Sequence, residues 1–540
     1  MKRFEEWNKY GLAVFLVVVN AAFFAFMAWF MPIRYEQNDD IMMCMIANGL
    51  YTGTPDPHLV YINALYGQFL TWLYTWTKAV EWYTLIFAGL HILSMSVIDY
   101  TVLRSNHSGY LKMLWLAFLY VMWIRIIISF QFTTTAGLVC LAGILLLMRQ
   151  GWRNLLLGSS LVLIASLIRF HSAALVSLLM APVVIYHWGN DWKRYLPMAA
   201  LFVLVIGCRI GNKFYYQTDE WKYYREYNTI RANMTDNPNA RSRRVFQNLP
   251  EGVTEADYKL FLSFFPDPNI MDLEALKLIN THVNAMPLSQ KLMNVERLSK
   301  YGLVIITLLI LMLMVDLAQP ESKMHFFIGG YAMYVIGLLI LVCLNQFVKN
   351  RVFLCFVIPI VMAFFTLLPE KVSMQRVTAM ASLILVLIGV YIYQAGTARD
   401  NDYYHRTVVW NAFQYPLIKT LPSDSRLATV GTTFSLEFIN PFHIKDFNTR
   451  KFSLGWFTHI PFNKDVGESY IDLTRENMYL FVPVNYDDAE SMINRIRQQI
   501  AFHYGVPTYV DLYRRNGGYA IIQLRTTDNW AAMEEIWENQ

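Results

Sequence analysis

Residues 11–31 form an apolar run of bilayer-spanning length that ends at the helix-breaking Pro32, and runs of similar length recur along the chain. About twenty consecutive apolar residues are what a helix needs to cross the hydrocarbon core of a membrane. Charged residues make up only 16% of the 540 and hydrophobic ones 55%, against roughly 25% charged in soluble domains. The chain therefore reads as a polytopic α-helical membrane protein. Its formal net charge of +5 sits in short loops between apolar runs. That pattern sets topology and does not point to nucleic acid.

Lys2, Arg3 and Lys9 precede the first run, which is too long for a signal-peptide core and lacks a small-residue cleavage site. It reads as an uncleaved span over about 11–33 with the N-terminus inside. The stretch 58–80 is apolar but crowded with Tyr61, Tyr66, Trp72, Tyr74 and Trp76, a composition that favours the membrane–water interface. If it lies flat, the next spans fall at about 82–103, 111–128, 135–149, 154–168, 171–187, 195–212, 300–317, 325–346, 352–368 and 377–396. Arg104 with Lys112, Arg149 with Arg153, Lys193 with Arg194, Lys323, and Lys371 with Arg376 then share the side of the N-terminus. If it spans, the next several basic loops move outside. The positive-inside rule thus favours about eleven transmembrane helices within residues 1–396 and an external C-terminus.

Two external polar pieces and one external loop follow. Residues 34–81 form the loop, with a short helix over 39–50 closed by Gly49. Residues 213–298 form a cover, with helices predicted over 219–234 and 273–283 and a capping signal at Thr254-Glu-Ala-Asp257. Residues 397–540 form a soluble α/β domain. Its predicted elements are helices over 403–421 and 488–503 and strands over 426–430 and 479–484. A hairpin over 508–513 and 519–524 turns through Arg515-Asn-Gly-Gly518. Of the five cysteines, Cys140, Cys208, Cys343 and Cys355 fall inside apolar runs. No Cys-x-x-Cys or His/Cys cluster suggests a metal site.

The residues that stand out chemically are external. Asp39 and Asp40 follow the first span in Arg34-Tyr-Glu-Gln-Asn-Asp-Asp40, and two adjacent carboxylates at a membrane mouth are costly unless they face water or a partner. One can serve as a general base and the other as its orienting partner; either can equally cap the helix that follows. Lys349 and Arg351, Arg169 and His171, and Arg125 are basic exceptions near the outer ends of spans. An anionic headgroup would explain them, as would snorkelling to lipid for Arg351 and Arg169, or a buried acidic partner for Arg125. His58 and, in the cover, Arg231 are polar groups able to face the same cavity or to remain solvated.

The acidic pair after span one, the segment His58-Leu-Val-Tyr61, the stretch Arg351-Val-Phe-Leu through Pro359 and the soluble C-terminal domain together resemble the GT-C glycosyltransferases. That superfamily includes protein O-mannosyltransferases, lipid A aminoarabinose transferases and oligosaccharyltransferases. The resemblance covers most of the membrane part. Asp39-Asp40 stands where the family usually has Asp-Glu, and the Arg351 stretch is looser than the usual Arg-Tyr-Leu-x-Pro. Segments 221–284 and 38–74 also resemble an uncharacterised bacterial cell-surface polysaccharide family. The resemblance implies an inner-membrane glycosyltransferase with a periplasmic site and a polyprenyl-phosphate sugar donor. A glycan or lipid would be the acceptor, and a divalent cation would be optional. Asp39, or else Asp40, would be the base, and Arg351 with Lys349 or Arg169 would hold the leaving phosphate. A lipid-linked glycan polymerase or ligase, and a flippase or transporter, are the competing classes.

Overall fold

The computed structural model describes residues 9–31, 33–284, 297–345, 348–370, 372–395, 409–429, 439–444, 450–452, 456–463, 469–483 and 487–526. Helix α1 (Lys9–Phe30) is followed by strand β1 (Arg34–Tyr35), α2 (Asn38–Ala47), α3 (Ala64–Trp76), α4 (Trp82–Leu103) and α5 (Gly109–Ile128). Strand β2 (Ser129–Phe130) precedes α6 (Phe132–Leu147), α7 (Trp152–Trp188) and α8 (Trp192–Tyr215). After the polar helices α9 (Asp219–Thr235), α10 (Glu255–Leu262) and α11 (Leu273–Asn284), the apolar series resumes. It comprises α12 (Gly302–Leu317), α13 (Ser322–Asn345), α14 (Asn350–Leu367) and α15 (Met374–Ala395). Helices satisfy their own backbone groups, so they are the natural outcome for segments this apolar.

Among the described residues, seven helices are long and apolar enough to cross a membrane. The chain is a multi-pass membrane protein, but the expected count of eleven spans is not what these helices give. α6 and α12 have 16 residues each, just short of a full span. The predicted segments 154–168 and 171–187 are the two legs of α7, which is counted once among the seven because its two helices are joined directly at Arg169.

That element is not straight. Arg169 leaves helical geometry at φ −153° and ψ 96°, and the chain folds back there. On the first leg, Gly158 lies against Gly143 of α6, where an added Cβ would meet the Gly158 carbonyl oxygen at 2.8 Å. On the second leg, Ser177 Oγ is 3.5 Å from Cys140 Sγ. In a straight helix residues 158 and 177 would lie about 28 Å apart, yet their partners on α6 are one turn apart. Both legs pack on α6, and Arg169 occupies the corner between them.

α3 has 13 residues, about 20 Å of helix, too short to cross a bilayer. It exposes Leu65, Phe69, Trp72 and Trp76 in one stripe and buries Tyr66, Leu70, Leu73 and Tyr74. The aromatic residues that crowd 58–80 thus divide between a packed face and an open one.

The C-terminal strands β3 (Arg426–Thr429), β4 (Arg450–Phe452), β5 (Met478–Pro483), β6 (Thr508–Asn516) and β7 (Tyr519–Thr526) form one sheet in the order β4-β3-β5-β7-β6. β3 is parallel to β4 and β5, and β7 is antiparallel to β5 and β6. Helix α16 (Asp487–Tyr504) packs on it, with Ile496 and Ile500 buried beside Leu480 and Ile522. Leu260 and Phe265 from the end of α10 enter the same core. Asp267 accepts from Tyr470 N–H and the Tyr504 hydroxyl, both at 2.7 Å, so cover and sheet are packed together. The capping box at Thr254 is present in both directions. Of the helix predicted over 403–421, residues 403–408 lie outside the described residues. The rest forms two short turns, Trp410–Gln414 and Tyr415–Ile418.

Candidate functional site

Two strands of two residues each determine where the acidic pair sits. β1 runs parallel to β2, with Arg34 beside Ser129 and Tyr35 beside Phe130, and Glu36 N–H donates to the Phe130 carbonyl at 2.7 Å. The strands therefore launch α2 and α6 side by side. Asp40, in the first turn of α2, accepts at Oδ1 from Phe132 N–H at 3.0 Å and from the Tyr83 hydroxyl at 3.1 Å. It thereby fastens α2 to the N-terminus of α6, where a carboxyl is well placed, and to α4.

Asp40 is fully buried, and its Oδ2 has no hydrogen-bond partner among the described residues. Burial, with the neighbouring Asp39 charge, pushes its carboxyl well above the usual carboxylate range. The Phe132 N–H, the Tyr83 hydroxyl and Arg351 act in the opposite direction. Asp39 is half-buried. Its charge reaches the Tyr61 and Tyr224 hydroxyls and the Arg169 guanidinium, so these groups share one locality. Arg351, in the first turn of α14, acts on both Asp40 and Arg169. The acids of the first loop and the arginines 169 and 351 thus converge at one end of the helix bundle.

Tyr61 is the centre of that cluster. Its ring lies parallel to Phe132 with centroids 6.2 Å apart, and the Trp456 ring is 5.2 Å away. The Arg169 guanidinium stands 5.8 Å from the Tyr61 centroid and 5.2 Å from that of Phe132, a cation–π arrangement that holds it at the corner of α7. Burial raises the Tyr61 hydroxyl to about 12; Asp39 adds to this, while Arg231, Asn228 and Arg169 counter it. The preceding Val60 sits at φ 65°, a strained conformation for a β-branched residue. Its N–H donates to the Tyr216 hydroxyl at 3.2 Å.

The cover reaches over this cluster through α9. Arg231 is buried and donates from Nε and Nη2 to Asn228 Oδ1 at 2.9 and 2.8 Å. Tyr224 donates to the Trp456 carbonyl at 2.8 Å. The C-terminal segment also reaches the first loop, with the Tyr51 hydroxyl 2.6 Å from Asn463 Oδ1.

The remaining sequence-predicted residues divide. Lys349 pairs with Asp236, the residue after α9, at 3.0 Å, so it ties α14 to the cover. His58 lies 2.7 Å from Asp56 and is stacked on Trp221 at 4.6 Å, beside Tyr215 and Tyr216. It is enclosed by aromatic rings where α8 meets α9. His171 is exposed on the second leg of α7, and Arg125 is half-buried in the last turn of α5. Asn228, Tyr224 and Trp456 were not singled out in the sequence. They reach Tyr61 across long separations and carry no local motif. Among the described residues no group of three His, Cys, Asp or Glu side chains is placed to hold a metal.

Phe353, two residues after Arg351, begins the wall of an apolar groove between α12, α13 and α14. The half-buried carboxylate and two guanidiniums at one end of the bundle suit an anionic group, and the apolar groove on another face of α14 suits a hydrocarbon chain. No protein-family model matches the chain, and no curated protein or solved structure matches it.

Proposed function

We propose that this chain is a membrane glycosyltransferase that moves a sugar from a polyprenyl-phosphate donor to a glycan or lipid acceptor, inverting the anomeric centre. The observation that supports this reading is the convergence of Asp39, Arg169 and Arg351 at one end of the helix bundle, with an apolar groove along another face of α14. Asp39 takes the proton of the acceptor hydroxyl. The acceptor oxygen bonds to the anomeric carbon from the face opposite the phosphate, and the bond from that carbon to the phosphate oxygen breaks. The leaving phosphate keeps the electron pair, and Arg351 and Arg169 stabilise its charge. The groove takes the lipid tail. Asp40, whose carboxyl is shifted upward by burial, positions α2. Asp39 is preferred as the base because Asp40 is sealed against protein on every side.

In this proposal the site faces the periplasm of a bacterial inner membrane, with weak or no dependence on a divalent cation. The test is transfer by the purified full-length protein from a panel of polyprenyl-phosphate sugars. Replacing Asp39 and Asp40 together by Asn should abolish transfer in a protein that still folds; full residual activity rejects the mechanism.

A further inference from the structure

The cover carries a basic turn that the transfer step does not use. From Asn237 to Pro250 the sequence holds Arg241, Arg243 and Arg244 and no acidic residue. The arginines sit on two short helical turns, Pro238–Arg241 and Arg243–Phe246. Ala240 and Val245 anchor those turns in the core of the cover, and the Ala240 carbonyl accepts from the Tyr258 hydroxyl at 2.8 Å. All three arginines are exposed. Their backbone is thus fixed before any anion binds, which lowers the ordering cost of binding. The turn also lies near the site. Asp236 pairs with Lys349, two residues before Arg351, and Arg241 follows Asp236 by only five residues, at most about 18 Å of chain.

A bilayer surface and a soluble polyanion could both attract such a turn. A segment seated in a bilayer surface carries apolar anchors, as α3 does with Phe69, Trp72 and Trp76. Among the described residues from Tyr224 to Ser263, no large apolar side chain is exposed. Amides flank the arginines instead: Gln247 and Asn248 are exposed, and Asn239 is half-buried. A guanidinium matches a carboxylate with two parallel hydrogen bonds, and an amide can both donate to and accept from a sugar hydroxyl.

We infer that this turn docks an acidic glycan, with Arg241, Arg243 and Arg244 holding carboxylates of successive sugars and the neighbouring amides meeting their hydroxyls. The glycan's role as acceptor rests on the transferase reading above, whose acceptor it narrows to a carboxylate-bearing polysaccharide. The arginines hold and orient the chain and take no part in the transfer step.

The experiment is equilibrium binding of the full-length protein, in nanodiscs of zwitterionic lipid, to oligogalacturonate and to a maltooligosaccharide of equal length. The wild type should prefer the acidic chain, and added salt should weaken that binding. Replacing Arg241, Arg243 and Arg244 together by Gln should weaken it roughly ten-fold, the sum expected of three exposed ion pairs. Because all three side chains are exposed, the variant should keep the wild-type melt. Arg514→Gln with Arg515→Gln, on exposed arginines of β6, should bind as the wild type does. No preference for the acidic chain, an unchanged triple variant, or an equal loss in the β6 variant overturns the inference. So does flotation with phosphatidylglycerol vesicles that the triple variant loses while oligogalacturonate goes unbound, which would make the turn a membrane contact. Sugar transfer assayed on the same protein separates the two readings. Transfer without the acidic preference removes this inference alone; the preference without transfer from any polyprenyl-phosphate sugar removes the transferase reading and leaves the docking surface.

Discussion

Replacing Asp40 separates its structural role from catalysis. Its Oδ1 satisfies two buried donors, Phe132 N–H and the Tyr83 hydroxyl. In Asp40→Asn the amide oxygen keeps both bonds and an unpartnered NH₂ group takes the place of Oδ2; the cost should be at the low end of about 1–3 kcal/mol. In Asp40→Ala both donors are left unpaired, each costing about 1–3 kcal/mol, so the loss should be about 2–6 kcal/mol before any cavity is counted. The two variants should therefore differ clearly in thermal unfolding in one detergent. The pH dependence has a definite sign. A carboxyl whose folded-state proton affinity is raised contributes stability below the ordinary carboxylate range and loses it as pH rises through its elevated titration. Wild-type stability should fall along that arm, and Asp40→Asn should lack the fall. Equal destabilisation by Asn and Ala, or an unchanged pH profile in Asp40→Asn, would refute this assignment.

Three further outcomes follow. Asp39→Asn alone should lower transfer by about 10²–10⁴-fold while its unfolding midpoint stays at the wild-type value, read by steady-state kinetics beside a melt. Arg351→Ala and Arg169→Ala should each lower kcat by about 10²–10³-fold, and Lys at either position should restore only part, because a point charge cannot form the planar fork; full rescue by Lys would argue for charge alone. Gly67→Ala should destabilise the protein by about 1–3 kcal/mol, since its Cβ would clash with the Pro57 carbonyl oxygen; an unchanged melt would show that the 57–67 contact is looser than described.

What was legible in the sequence is what short-range physics encodes. The helix predicted over 82–103 is Trp82–Leu103, the capping box at Thr254 forms, and the Asn-Gly-Gly turn joins β6 to β7. Apolar length signals spans only approximately, which is why the count failed. α6 and α12 stop short of a full span, whereas the break at Arg169 separates two legs where the segments 154–168 and 171–187 were expected. The acidic pair was visible because two adjacent carboxylates after a span are conspicuous. That Asp40 is a fastener and Asp39 the open group was not legible, because their difference comes from Phe132 and Tyr83. The stacking of Tyr61, Phe132, Arg169 and Trp456 joins four separate segments and leaves no spacing to read. A similar limit applies to Lys349, whose partner Asp236 lies in the cover.

The central claim, that Asp39 works opposite Arg351 on a lipid-linked sugar, is tested most directly by single-turnover transfer from radiolabelled polyprenyl-phosphate sugars, with wild type and Asp39→Asn assayed side by side. A labelled product from the wild type and none above background from Asp39→Asn is the predicted result. Equal product from both proteins would contradict it.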